Sequence, residues 1–66
     1  MDSRIIEGLK KSIYEERLAA KTYRQRAMIA KKLGYPEVVA RYLEVARDED
    51  THEKQYTALL KKEMSK

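Results

Sequence analysis

Apolar residues recur at alternating steps of three and four along two stretches of the chain. The first carries Ile6, Leu9, Ile13, Glu16, Ala20, Tyr23, Ala27 and Ala30, and the second Val38, Tyr42, Val45, Glu49, His52, Tyr56 and Leu59. Such steps lie on one face of an α-helix, the face that becomes buried. Val39, Leu43, Ala46 and Leu60 broaden the second face. The pattern predicts one helix over about 3–33 and another over about 36–62, hence an all-α fold.

The break between them is Lys31-Lys32-Leu33-Gly34-Tyr35-Pro36-Glu37. Two lysines in the last turn suit the negative end of a helix, and glycine suits the left-handed residue beyond it. Tyr35 precedes proline and is pushed out of helical geometry. Pro36 fits the first turn of a new helix, where its missing N–H is no loss. A turn at 34–35 forces the helices to lie antiparallel. Ser3 or Asp2 can cap the first helix. Gly8, the single glycine inside it, weakens its first turns by ~1 kcal/mol relative to alanine. The tail from Lys61 to Lys66 is expected to fray, and Glu37–Arg41 and Asp50–Lys54 are expected as exposed ion pairs.

Sixty-six residues form one domain with little core of its own. Helices of ~40–45 Å packed only against each other leave much of two broad apolar faces in water. The expected remedy is dimerisation of two hairpins into a four-helix bundle with twofold symmetry, or a higher even oligomer. There is no cysteine, which excludes disulfides, thiolate metal sites and a rubredoxin-type iron site. No signal-peptide core or membrane-spanning run is present, so a cytoplasmic protein with no membrane partner is expected.

Charged residues make up 39% of the chain, with a net charge of +4. Lys10, Arg17, Arg24 and Lys31 recur every seven residues as a basic stripe on the first helix, read chiefly as a solvated face. No aromatic is interleaved for base stacking, so nucleic acid is not the expected partner.

Three polar residues sit where the apolar face wants leucines: Glu16, Glu49 and His52. Glu16 lies eighteen residues before Gly34 and Glu49 fifteen after it, so the two are at similar heights in an antiparallel hairpin, with His52 one turn beyond. A dimer doubles this to four carboxylates and two imidazoles at one level. Four buried glutamates would repel unless most took up protons. Two divalent ions neutralise them, and a glutamate from each of two helices plus Glu-x-x-His from the other two is the ligand set of di-iron and di-manganese bundles. Oxygen-rich sites with one imidazole per ion favour iron or manganese over structural zinc. The competing reading of Glu49 and His52 is a buried polar pair that fixes register.

The run Glu16-x-x-Ala19-x-x-x-Tyr23, followed by Gly34-Tyr35 and Glu49-x-x-His52, resembles the first half of the rubrerythrin di-iron domain over about Tyr14 to Leu60. The resemblance implies a ferritin-like bundle of which this chain is a single two-helix half, as in the encapsulated ferritins. It also implies Glu16 and His52 as terminal ligands, Glu49 as a bridging ligand, and Tyr23 as a hydroxyl beside the metals that does not bind them. The implied cofactor is two iron ions per dimer, with manganese possible, and the implied activity is oxidation of Fe(II) or reduction of peroxide or dioxygen. The cysteine-rich iron domain of rubrerythrins has no counterpart here, nor has their second half with its additional glutamate. A peroxidase would therefore need an external electron donor. No C-terminal targeting peptide of the encapsulated-ferritin kind is evident.

The alternative function is a non-enzymatic, dimeric basic hairpin that binds an acidic partner or nucleic acid. Tyr23, Tyr42 and Tyr56 fit core packing with a satisfied hydroxyl. Asp48 and Glu53 are read as solvated residues, with a hydrogen bond to an imidazole N–H as the other option.

Overall fold

In the computed structural model, which describes residues 2–65, the first helix begins on Asp2. Its extended backbone leaves the side chain free to accept a hydrogen bond from the Arg4 N–H at 2.7 Å. This closes one of the unsatisfied N–H groups at the start of α1, Ser3–Leu33. The Arg4 guanidinium also donates to the same carboxylate at 2.8 Å and holds it below its usual pKa.

At the far end Gly34 takes the left-handed conformation, φ 81°. Its N–H donates to the Lys31 carbonyl at 3.2 Å, and the Tyr35 N–H donates to the Ala30 carbonyl at 3.0 Å. That pairing satisfies the last carbonyls of the helix and reverses the chain. Pro36 then opens α2, Pro36–Met64, with Glu37 in its positive first turn. The second helix runs two residues past the expected end, because the Ser65 N–H and hydroxyl both donate to the Lys61 carbonyl. No strand occurs among the described residues.

The two helices form an antiparallel hairpin of 50 × 14 × 10 Å, one helix pair across. Among the described residues only Ile13, Ala20, Ala27, Ala30 and Ala46 are buried. Four of the five are alanines, so the backbones approach closely but little apolar area leaves water. The seam on α1 follows the expected 6/9/13/16/20/23/27/30 series. On α2 it falls at Val39, Tyr42, Ala46, Glu49, Glu53, Tyr56 and Leu60, all buried or half-buried.

This differs from the expected centre of the second face. Val38, His52 and Leu59 lie one position outside the seam and are exposed, Val38 by 41% and Leu59 by 49%. The broad face on α2 thus has two halves. One meets α1, and the other flanks an open edge of the hairpin together with Ile29 and Leu33 of α1. No helix among the described residues is long and apolar enough to cross a membrane.

The ion pairs also differ from expectation. Arg41 pairs with Glu44 at 2.9 Å instead of Glu37, because that carboxylate lies one turn on along the same face. Asp50 pairs with Arg24 across the hairpin instead of with Lys54. Glu53, read as solvated, packs half-buried at the seam and pairs with Arg17.

Two substitutions test the local account. A Cβ added at Gly8 would meet nothing within 4 Å. Gly8→Ala is expected to stabilise the protein by about 1 kcal/mol through helix propensity. Gly34→Ala is expected to destabilise it by about 1–2 kcal/mol, because alanine resists the left-handed region. Thermal melts followed by circular dichroism read both.

Candidate metal centre

The middle of each helix contributes to one cluster. Glu16 points from α1 into the seam, where it is 18% exposed, and Glu49 faces it from α2. His52 follows Glu49 by one turn and stands at the open edge, 50% exposed. One ligand atom from each of the three lies within 4.8 Å of the others, the single such group among the described residues.

The geometry leaves a polar atom unsatisfied. Glu16 Oε2 is buried without a hydrogen-bond partner. The His52 Nδ1 atom stands 3.5 Å away, too far for a firm hydrogen bond. Leaving a buried acceptor unpaired costs about 1–3 kcal/mol.

Glu49 carries the second sign of strain. Its pKa is raised above the ordinary 4.5, first by a hydrogen bond with the Glu16 carboxyl, which needs one of the two to hold a proton. Burial and the Glu16 charge add to the rise, and His52 opposes it. Two oxygen donors and an imidazole, converging on one point with one oxygen orphaned, match the chemistry of an iron or manganese ligand set. One hairpin supplies three residues, fewer than either ion ordinarily fills, and the cluster faces the open edge.

Tyr23 lies two turns from Glu16 toward the loop. Its ring packs against Tyr42 with centroids 5.8 Å apart, and the Arg26 guanidinium lies 5.1 Å from its centroid. Among the described residues its hydroxyl makes no hydrogen bond to Glu16, Glu49 or His52. Asp48 is exposed one turn before His52, and its charge adds to the rise in the Glu49 pKa.

The basic stripe is largely engaged within the chain. Arg17 pairs with Glu53 and Arg24 with Asp50, both across the hairpin, and Lys10 lies 3.8 Å from Glu7. Sequence reasoning placed these arginines on a solvated face. The signal that finds them is height: Arg17 lies seventeen residues before Gly34 and Glu53 nineteen after it.

With this geometry in view, comparison with known families is informative. The family model described as Rubrerythrin matches residues 7–66, nearly the whole chain. The chain belongs to the rubrerythrin family. Among curated proteins and solved structures, none matches it. Membership in the rubrerythrin family agrees with the all-helical hairpin and with a carboxylate and histidine cluster at its middle.

The raised pKa of Glu49 fixes the sign of a pH effect. Folding strengthens proton binding at Glu49 in the metal-free hairpin. The group's contribution to stability is therefore full below 4.5 and is lost as pH rises through the elevated folded value. Glu49→Gln mimics the protonated form. In metal-free protein its melting temperature should exceed wild type at pH 7, and the difference should shrink on acidification to pH 4. Melts of both proteins across that range check this, and a difference independent of pH contradicts it.

Proposed function

We propose that two copies of the hairpin pack open edge to open edge into a ferritin-like four-helix bundle. Glu16, Glu49 and His52 of both copies then bind two iron ions, or two manganese ions, between them. The observation that carries this reading is the convergent cluster with its orphaned Glu16 oxygen, set on an edge whose apolar rim is left in water.

Charge supports it as well. Each chain brings two carboxylates and one imidazole. Doubling gives four negative charges, which two divalent ions cancel. Without cations those carboxylates must share protons, as the raised Glu49 pKa already indicates for one hairpin.

When bound, such a pair of ions supplies one-electron redox steps for oxidising Fe(II) or for reducing peroxide or dioxygen. The chain's own residues do the rest. Glu16, Glu49 and His52 would hold the ions, with Glu49 in the bridging role and Glu16 and His52 as terminal ligands, as the family resemblance implies. Ligation needs Glu49 ionised, and its raised pKa makes metal uptake weaken as pH falls. Tyr23, packed on Tyr42 two turns from Glu16, would be a hydroxyl beside the site that does not bind the ions. Peroxide reduction would draw its electrons from an external donor, since the chain holds no thiolate to carry an iron centre. We place this activity in the cytoplasm.

Loading with Fe(II) under nitrogen is expected to give about one ion per chain, with Glu49→Ala and His52→Ala failing to load. Chelation should lower the wild-type melting temperature by roughly 10–20 °C, as removal of a ligand held well above its dissociation constant does for a small domain. Full iron loading by either variant contradicts the assignment. Melting that is indifferent to chelation favours a polar pair that merely fixes register.

A further inference from the structure

The seam residues beside Glu16 and Glu49 on the loop side, Ala20 and Ala46, are small. The buried residues of the seam are Ala20, Ala27, Ala30 and Ala46, with Ile13 the one larger side chain. Alanine offers no large knob to seat in a hole on the facing helix, so next to the ligands the register is held by half-buried side chains such as Tyr23, packed on Tyr42, and by polar contacts between the helices. The loop ties the helices at one end only. Glu16 is eighteen residues away from it, some 27 Å of helix. Metal ligation tolerates far less error than such a lever allows.

Two ion pairs cross the hairpin near the ligand level. Arg17 follows Glu16 and pairs with Glu53, one turn beyond Glu49. Arg24 pairs with Asp50, which follows Glu49. Both stand on the edge opposite His52. Arg24 and the apolar Met28, Val39 and Leu43 line a cavity of about 290 Å³ on that side, while Arg26, Leu33 and Val38 line one of about 440 Å³ on the open side.

Their directions matter. Side chains on a helix lean toward its N-terminus. In an antiparallel pair the arginines of α1 therefore lean away from the loop, and the acids of α2 lean toward it. Arg24 lies ten residues before Gly34 and Asp50 sixteen after it, so this pair spans about 9 Å of rise. Arg17 and Glu53 lie nearly level. One level tie and one diagonal tie resist sliding in both directions, as a strut and a brace do.

We propose that Arg17–Glu53 and Arg24–Asp50 are positioning pairs that hold Glu16 and Glu49 in the register needed to bind metal. The inference rests on the metal-binding reading above. Exposed pairs contribute little to overall stability. They act here by raising the fraction of hairpins in the binding-competent register, and apparent affinity follows that fraction directly.

The test is titration of metal-free protein with Co(II), followed by its visible absorption, at one pH and ionic strength. Two double variants break the same ties with opposite changes in charge: Arg17→Gln with Arg24→Gln, and Glu53→Gln with Asp50→Asn. Both are expected to bind Co(II) roughly three- to thirtyfold more weakly than wild type, with helicity retained. If the pairs act only through their field, the arginine variant binds a cation more tightly and the acidic variant more weakly, which overturns the proposal. Unchanged affinity in both overturns it too. Wild-type protein that fails to bind Co(II) at all overturns the metal centre and this inference together, which separates the two failures. If a double variant loses its helicity, Arg17→Gln and Glu53→Gln make the same comparison one tie at a time.

Discussion

Glu16 and Glu49 face each other across a seam whose fully buried residues are mostly alanine, and that contact governs the rest of the molecule. Two carboxylates this close in a half-buried setting cannot both keep their charge without compensation. In the metal-free hairpin the Glu49 carboxyl is held above its ordinary pKa, and Glu16 Oε2 is buried without a hydrogen-bond partner. An apolar pair at these positions would give a more stable hairpin. The seam instead sacrifices stability for a concentration of donors at one height.

The small seam has a second effect. Because Ala20, Ala27, Ala30 and Ala46 occupy it, the larger apolar side chains lie at its margins. Leu59 is left in water two turns from His52, and Val38, Leu33 and Ile29 are exposed nearer the loop. The opposite edge carries the interhelical ion pairs Arg17–Glu53 and Arg24–Asp50.

The fold was legible because its signals are local. Gly34 before Tyr35-Pro36 dictates the reversal, and steps of three and four place the cluster. What the pattern did not resolve was which half of the broad α2 face meets α1. Residues 38/42/45/49/52/56/59 and 39/42/46/49/53/56/60 share three members and differ by one position elsewhere, about 100° around the helix. Only the packed partner decides between them, and it chose the second. That choice exposes His52, buries part of Glu53 and turns the basic stripe toward Asp50 and Glu53. The interhelical ion pairs are not visible in the pattern of either helix alone, because they depend on which residues of the two helices stand side by side. Glu16, Glu49 and His52 were visible because a polar residue in an apolar stripe contradicts its surroundings.

The central claim is that one hairpin holds half of a two-metal centre. Native mass spectrometry of Fe(II)-loaded protein under nitrogen tests it most directly, since it counts chains and ions in the same particle. The account predicts a species of two chains with two ions, and on chelation the loss of both ions together with a shift toward single chains. A single chain carrying a tightly held ion, or a stable dimer that takes up none, would contradict it.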